Sequence, residues 1–424
     1  MHFCRLMKLI ILFSFLIATE EINALEYWLQ PPADSNKYCT KKSCDCVKSD
    51  SCTLNNYLIQ QLQPGDSVYF KNGNYPAFEI TNTHGTAALP ITLNGSIAIG
   101  KAEVSLNPKN KLDLIEIKKS SHIKLTGFNV HNAPRAGIRV NNSHHITLEN
   151  NKLTHNGVWG IFTNHANNFK ATSNTIIGPA KQHGIYHSNS GDNVILNANF
   201  IQNFNGCGIH MNGDKSMGGA KGVKGDGIIS NVEISNNYLS GNGLVGGSAI
   251  NLDGVTQANI INNIILKNKA AGLSIFKDDG GIGSSKINVS DNLIIMAKGS
   301  RWAVNIKNSE GDNSFTNNII VSQNSFRGIY DVLPVDLDVK STLNVVPFTA
   351  NNNVYGYGRN LIALNDKHYL PIDEWQKSYQ NDQNSSKLFY KYVLSNNGKL
   401  SQPLRKIVED KQTAKSNPYL FLIL

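Results

Sequence analysis

A short phrase of alternating apolar and polar residues recurs along the middle of the chain. Strict alternation predicts β-strands with one buried face, and Gly, Asn, Asp and Ser bound each copy, as turn residues do. Glycine or alanine opens the copies, at Gly137, Gly160, Gly184, Gly208, Ala249, Gly272 and Ala303. Most copies are 23 or 24 residues apart, which is too short for a strand followed by a helix. We therefore predict an all-β solenoid in which each rung buries its apolar face on the next.

The two residues after each opening Gly or Ala have different characters, the first aliphatic and the second mostly polar. In a pleated strand these positions point to opposite faces. The row expected to stack inward is Ile138, Ile161, Ile185, Ile209, Ile250, Leu273 and Val304. The row expected to point outward is Arg139, Phe162, Tyr186, His210, Asn251, Ser274 and Asn305. We expect residues that contact a ligand to lie in the outward row.

A second phrase, an aliphatic run that ends on asparagine, is interleaved with the first. Its asparagines are Asn151, Asn174, Asn199, Asn237, Asn263, Asn292 and Asn318. Asparagine tolerates the left-handed backbone of a sharp turn, and its amide can bond to identical amides above and below. We interpret this column as structural and assign none of its members to catalysis.

The chain begins like an exported protein. Residues 1–24 carry Arg5 and Lys8, then an apolar run, then polar residues up to Ala24. This is the layout of a secretory signal peptide, and the apolar run is too short for a membrane span. We expect a secreted or periplasmic protein with no membrane association after cleavage.

Four cysteines follow the predicted leader within fourteen residues. They are Cys39, Cys44, Cys46 and Cys52. In an exported chain such a cluster predicts two disulfides, and Cys44 and Cys46 are too close to pair comfortably. A zinc site formed by the same four residues is the alternative. We expect the cysteines to tie an N-terminal cap over the open end of the solenoid.

Four segments follow from these patterns. They are a signal peptide at 1–24, a disulfide-tied cap at 25–61, the solenoid at 62–330, and terminal rungs with a C-terminal cap at 331–424. A short helix is expected near 373–376, and the apolar tail at 419–424 is expected to cover the far end of the solenoid.

The chain has a formal net charge of +9. A basic exported protein meets anionic partners, although the same charge also serves solubility alone. We expect an acidic polysaccharide as the partner, no nucleic acid, and a monomer.

Several stretches resemble a known superfamily over about residues 60–330. The opening rung at 62–75 and the runs 183–189, 207–214, 247–254 and 301–307 are similar to pectate-lyase-like β-helix repeat proteins. The resemblance implies a single-stranded right-handed parallel β-helix with rungs of about 23 residues. It also implies a polysaccharide-active protein, without fixing the reaction.

The regular spacing breaks in two places, near 213–228 and near 277–285. Both insertions enter after the first strand of a rung, so stacking puts them on one edge of one face. Long loops on a rigid scaffold are where function tends to sit. We predict that they wall a groove over the outward row.

The polar residues beside this edge suggest β-elimination of a uronate polymer. That reaction needs a base, an acid and groups that neutralise the sugar carboxylate. We predict His210 as the base, Tyr186 as the acid or a partner in the base role, and Lys307 as an alternative base. The residues predicted to bind substrate are Arg139, Asn212, Asn251, Asp253 and Asn305.

A calcium-assisted version of the reaction is a further alternative, because hard cations collect several carboxylates. The residues that would hold it are Asp214, Asp226, Asp253, Asp278 and Asp279.

Three other functions remain open. Epimerisation starts with the same proton abstraction, but the Asp-Pro-His-Asp signature of β-helix epimerases is absent. A glycoside hydrolase needs two carboxyl groups, which Asp253 with Asp214 or Asp226 could supply. A non-catalytic carbohydrate-binding or adhesive solenoid would explain the charge and the polar face without any reaction.

Overall fold

Three parallel β-sheets, which we call A, B and C, wind around one apolar core, and every full rung contributes one strand to each sheet in that order. The computed structural model describes residues 24–32, 34, 37–95, 102–106, 111–217, 225–324, 326–333, 346–356, 360–365, 367–388, 394–395 and 397–424. The predicted signal peptide therefore lies outside the described residues, apart from Ala24. Within these ranges, no helix has the length and hydropathy that crossing a membrane requires.

The strands are short, as expected for rungs of a solenoid. In chain order they are β1 (Glu26–Gln30), β2 (Cys52–Thr53), β3 (Ser67–Phe70), β4 (Gly73–Pro76), β5 (Phe78–Thr81), β6 (Ile91–Asn94), β7 (Ala102–Leu106), β8 (Ile115–Lys118), β9 (Ser121–Thr126), β10 (Phe128–His131), β11 (Ala136–Glu149), β12 (Lys152–Thr154), β13 (Trp159–Thr172), β14 (Thr175–Ile177), β15 (Ile185–Ser188), β16 (Val194–Asn197), β17 (Phe200–Gln202), β18 (Ile209–Asn212), β19 (Ile229–Ser235), β20 (Tyr238–Ser240), β21 (Ser248–Asp253), β22 (Val255–Ile261), β23 (Ile264–Leu266), β24 (Ala271–Phe276), β25 (Ser285–Ser290), β26 (Leu293–Ile295), β27 (Val304–Lys307), β28 (Asn313–Thr316), β29 (Ile319–Val321), β30 (Tyr330–Val332), β31 (Phe348–Asn351), β32 (Val354–Gly356), β33 (Ile362–Leu364), β34 (His368–Leu370) and β35 (Ser386–Lys387).

Helices occur only near the ends of the described chain and in one insertion. They are α1 (Asn56–Gln61), α2 (Ile372–Tyr379) and α3 (Gln402–Lys411), with 3₁₀ turns at Lys215–Met217 and Leu420–Leu422.

Sheet A carries the outward row, and its register is unbroken. Its strands are β5, β8, the first halves of β11 and β13, then β15, β18, β21, β24, β27, β30 and β33. The pairings align Arg139, Phe162, Tyr186, His210, Asn251, Ser274 and Asn305 in one column. The seven residues predicted to stack inward are all buried. The predicted all-β parallel β-helix is confirmed, including the alternation that sets its two faces.

Glycine opens the phrases because neighbouring rungs approach closely at that point. A Cβ built on Gly184 would lie 2.5 Å from the Ile201 side chain and 2.6 Å from the carbonyl oxygen of Gly208. Real Cβ atoms do not come so near, so a larger residue there would push the rungs apart.

The predicted asparagine column forms a ladder between sheets B and C. Asn151 donates both its backbone N–H and its side-chain amide to Oδ1 of Asn174, at 3.0 and 3.1 Å. The same pattern repeats upward, and Asn318 donates to Oδ1 of Asn353. One of the two reasons given for the column is wrong. The left-handed residue is the one before each ladder asparagine, such as Ser173, so these asparagines are selected for their amides.

The N-terminal cap is tied by two disulfides, Cys39–Cys44 and Cys46–Cys52. This confirms the prediction of two bridges and excludes the zinc alternative. Strand β1 of the cap pairs in parallel with β3, so the cap continues the solenoid.

The C-terminal part differs from the expectation in one respect. Helix α2 is present where a helix was expected, and its Trp375 is fully buried against Phe348 of β31. The apolar tail, however, does not cover the far end. It lies along the side of the solenoid, where Tyr419 donates its hydroxyl to the carbonyl of Ala198 at 2.7 Å and packs on Phe200.

Candidate functional site

The two insertions meet at the corner between sheets A and B, as predicted. Asp214 forms a β-bridge with Gly280, and the backbone N–H of Lys215 donates to the carbonyl of Asp279 at 3.1 Å. Residues 218–224 of the first insertion lie outside the described residues. The described parts of both loops stand beside the outward column of sheet A.

Asp253 anchors the second loop. Its carboxylate accepts the backbone N–H groups of Asp278, Asp279 and Gly280 at 2.9, 2.9 and 3.1 Å. Burial raises the pKa of Asp253, and the three N–H groups oppose that rise. Since both carboxylate oxygens accept backbone groups, Asp253 shapes the wall of the groove.

Tyr186, His210, Asn212 and Asn251 come together on two adjacent columns of sheet A. The rings of Tyr186 and His210 are 4.8 Å apart between centroids. The amide nitrogen of Asn212 donates to the Tyr186 hydroxyl at 3.2 Å, and the Asn251 amide lies 3.4 Å from Nε2 of His210. Burial raises the pKa of Tyr186, so its phenol is a proton donor near neutral pH.

His183 stands behind His210 and fixes which of its nitrogens is protonated. The backbone N–H of Cys207 donates to Nδ1 of His183 at 2.9 Å, so that nitrogen is an acceptor. Burial lowers the pKa of His183 to about 2, with a further contribution from His210, so the ring is neutral and its proton is on Nε2. That Nε2 faces Nδ1 of His210 at 3.3 Å, which must then accept.

The hydrogen bonds from Cys207 to His183 and from His183 to His210 determine which nitrogen of His210 carries the proton. Burial lowers its pKa to about 4, so the ring is neutral and its one proton is on Nε2, the nitrogen beside Asn251. An amide can present either end to a neighbour, and Asn251 therefore accepts through its oxygen. In the resting protein, His210 therefore donates to Asn251 and has no nitrogen free to act as a base, whereas the sequence suggested a base.

A cavity of about 460 Å³ opens above these residues on sheet A. Arg301, Lys307 and Arg327 line it, with Asp331 as their one carboxylate neighbour in the cavity. Lys307 lies 3.2 Å from Asp331. Three cations around one carboxylate favour an anionic ligand.

The other predicted residues divide between the cavity and more distant rungs. Asn305 and Asn251 line the cavity. Asn212, Asp253, Phe276 and Lys307 occupy the same position in four successive rungs. Lys307 therefore lies three rungs above Asn212, a distance of roughly 14 Å at the spacing of β-strands. Lys307 and Tyr186 therefore cannot act on the same sugar ring.

Arg139 lies below the cluster, and neighbouring groups engage it. Its guanidinium stacks over Phe162 with its carbon 4.6 Å from the ring centre, and its Nε lies 3.9 Å from Asp113. Burial lowers the pKa of Arg139. These contacts make Arg139 part of the packing of the lower rungs.

The five aspartates proposed for calcium do not form one cluster. Among the described residues, the groups of three potential ligands consist of His and Cys, and no aspartate belongs to them. Asp226 accepts from the Ser190 hydroxyl at 3.4 Å, Asp214 accepts from Ser216, and Asp253 holds the second loop. Calcium binding stays a prediction that this arrangement does not favour.

Sequence reasoning missed Arg301, Arg327, Asp331 and the role of His183. Asp331 could have been found, because it extends the outward column one rung beyond Asn305. The two arginines precede their sheet A strands, outside the alternating phrase, so the pattern carries no signal for them.

Comparisons with known proteins agree with this fold. The sequence model of the family described as "Right handed beta helix region" matches residues 159–333, and that described as "Periplasmic copper-binding protein (NosD)" matches residues 64–219. No curated protein sequence matches the chain.

Three solved structures are similar in fold. An alginate lyase from Paenibacillus sp. str. FPU-7 is 17% identical, with 65% of this chain and 93% of that chain covered and a TM-score of 0.50. Pectate lyase Pel9A is 16% identical, with 73% and 79% covered and a TM-score of 0.50. The GH136 lacto-N-biosidase from Eubacterium ramulus is 13% identical, with 85% and 66% covered and a TM-score of 0.55. At these identities the likeness is one of fold.

The protein is thus a right-handed parallel β-helix protein with the fold of pectate and alginate lyases. The description of one matching family includes copper, and His183, Cys207 and His210 bring three potential metal ligands together. A neutral imidazole that binds metal through Nε2 keeps its proton on Nδ1, but Nδ1 of His183 accepts the Cys207 N–H. Burial also raises the pKa of the Cys207 thiol to about 12. The cluster is a hydrogen-bond chain and does not fit a metal ion.

Proposed function

We propose that this exported protein binds an acidic polysaccharide along sheet A and cleaves it by β-elimination. The observation that carries the proposal is the cavity lined by Arg301, Lys307 and Arg327. Among the described residues, neither arginine forms an ion pair, so both can meet the carboxylates of a uronate polymer. The lyases of similar fold act on alginate and pectate, according to their names, and this adds support for the substrate class.

The cluster below the cavity supplies an acid and one donor for the sugar. Because the Asn251 oxygen accepts from His210, its NH2 group faces the cavity as a donor that can hold a sugar carboxylate. Protonated Tyr186 can give its proton to the leaving oxygen of a sugar bound at the cluster, where hydroxide from solvent would take the C5 proton. Lys307 is an alternative base for a sugar bound higher in the groove, where water would protonate the leaving oxygen because Tyr186 is out of reach.

The polymer partner can be tested by binding. We expect polygalacturonate and alginate to bind and neutral polymers to bind far less, with affinity falling as salt rises. Arg301→Gln and Arg327→Gln should each weaken binding about tenfold, because an ion pair to a charged ligand contributes on the order of 1–2 kcal/mol. The matched control is Lys286→Gln, an exposed cation on sheet B, which should bind like the wild type.

The reaction can be tested by ultraviolet absorbance of the unsaturated sugar that elimination creates. Loss of that signal in Tyr186→Phe, with binding retained, would support the acid role. New reducing ends without the absorbance would favour a hydrolase instead.

A second function is favoured by one observation, the protonation of His210. Because Nε2 carries a proton, the cluster of Tyr186 and His210 lacks a ready base, which suits a carbohydrate-binding solenoid without catalysis. Tight, salt-sensitive binding with neither reaction product would establish this alternative.

A further inference from the structure

A histidine cluster lies at the corner between sheets A and B, three rungs below His210. His122 and His145 occupy the same position in successive rungs, as the pairing of His144 with Ser121 requires. Both have a left-handed backbone, with φ of 54° and 55°. One rung of separation stacks their rings at 4.3 Å between centroids.

His144 completes the cluster from the neighbouring position. Its Nδ1 is 2.8 Å from Nδ1 of His145, and its ring meets His122 edge-on at 5.8 Å. One ring nitrogen from each of the three residues lies within 4.8 Å of the other two. The cluster thus gathers three imidazole nitrogens at one point of the surface.

One nitrogen of the cluster has no bonding partner. Nδ1 of His122 is shielded from solvent and forms no hydrogen bond with any described residue. A shielded polar atom without a partner is unfavourable, and most such atoms in proteins are satisfied by protein, water or an ion. The ring that carries it lies beside two other imidazoles, and this arrangement points to a shared ligand.

The chemistry of the three side chains indicates which metals would bind. Imidazole nitrogen suits zinc, copper and nickel among the divalent metals.

We propose that His122, His144 and His145 together bind one divalent transition-metal ion. Metal–nitrogen bonds of about 2.0–2.1 Å allow two ligands on one ion to lie up to about 4.2 Å apart. The nitrogens here lie within 4.8 Å of one another, which extends beyond that limit, so the exposed rings of His144 and His145 must turn to close around an ion. His122 and His145 also line an open cavity of about 530 Å³ on sheet B, which gives an ion its entry path.

The site is separate from the proposed polysaccharide groove. Three rungs correspond to roughly 14 Å along the solenoid axis, and the cavity beside the histidines opens on sheet B. The proposal therefore stands or falls independently of the elimination reaction.

Calorimetric titration of the untagged protein with Zn²⁺, and with Cu²⁺, tests the proposal. We expect one ion per chain, and His122→Ala and His145→Ala should each weaken binding by about tenfold or more, because losing even an outer partner of a metal ligand costs about 10–100-fold. The Cu²⁺ complex should show nitrogen coupling in its electron paramagnetic resonance spectrum, and the coupling should diminish in His144→Ala.

The control is His155→Ala, an exposed histidine outside the cluster, which should bind as the wild type does. Absence of binding would overturn the proposal. So would binding that survives His122→Ala and His145→Ala, or binding that is lost in Cys207→Ala, since each puts the ion elsewhere.

Discussion

The backbone N–H of Cys207 donates to Nδ1 of His183 across 2.9 Å, and this contact decides where the proton of His210 resides. A backbone N–H can only donate, so the hydrogen bonds that run from Cys207 through His183 to His210 have one possible direction. The Nε2–H group of His210 then donates to Asn251.

Nitrogen NMR of the histidine rings should report this arrangement directly. We expect His183 and His210 to be neutral and protonated on Nε2 near neutral pH, because burial lowers both pKa values, to about 2 and about 4. In His183→Leu the constraint is removed, and His210 should populate both tautomers. A wild-type His210 protonated on Nδ1 would contradict this direction of the hydrogen bonds and would restore the predicted role of His210 as a base.

The buried ring of His187 should make stability depend on pH. Its Nε2 donates to the carbonyl of Gly191 at 2.9 Å, its Nδ1 meets the Thr163 hydroxyl at 2.7 Å, and burial lowers its pKa to about 4. The unfolded chain, with an ordinary histidine pKa near 6.5, binds the proton first as pH falls. The stabilisation is therefore complete above about pH 6.5 and is lost on descending to about pH 4.

The His187 contribution amounts to roughly 3 kcal/mol over that interval, since one pKa unit is worth about 1.4 kcal/mol. Denaturant unfolding at a series of pH values should show a smaller decline in His187→Gln than in the wild type. Equal slopes for the two proteins would show that His187 does not carry this dependence.

The asparagine ladder should be costly to interrupt. Asn237 accepts the backbone N–H of Asn199 and donates to the carbonyl of Leu196, at 2.9 and 2.8 Å. Asn237→Leu leaves both groups buried without partners, and we expect a loss of about 2–4 kcal/mol in the free energy of unfolding. Asn259→Ala, an exposed asparagine on β22, is the control and should change stability by less than about 0.5 kcal/mol.

The second loop should depend on Asp253. In Asp253→Asn one of the two acceptor oxygens is replaced by a donor, so the loop at 278–280 loses part of its anchor. We expect faster hydrogen exchange at these amides, by a factor corresponding to about 1–3 kcal/mol of local opening. Exposed Asp312, changed to Asn, is the comparison and should leave that exchange unaltered. Unchanged exchange in Asp253→Asn would show that the loop is held by other contacts.

Local alternation predicted the fold because one rule repeats in every rung. The inward row from Ile138 to Val304 and the outward row from Arg139 to Asn305 both follow from period two and rung spacing. The ladder was also readable, although the left-handed residue proved to be the one before each asparagine.

The site was less predictable, because it includes residues that lie outside the repeated alternating phrase. Arg301 and Arg327 precede their strands, and the tautomer of His210 depends on a backbone N–H one residue before the phrase, at Cys207. No spacing rule encodes such contacts. The position of the apolar tail at 419–424 was predicted wrongly for a related reason. The apolar composition of a segment indicates that it packs against the protein, but it does not indicate which surface it packs against.

The tail joins parts of the solenoid that would otherwise meet only through their neighbours. Asn417 donates to the carbonyls of Asn237 and Asn262, Tyr419 to that of Ala198, and Thr413 to that of Asn317. Solenoids without such links unfold piecemeal, because each repeat feels only the adjacent ones. A segment that is hydrogen-bonded to these successive turns couples them directly. We therefore expect the rungs from Ala198 to Asn317 to unfold together, as the parts of a globular domain do.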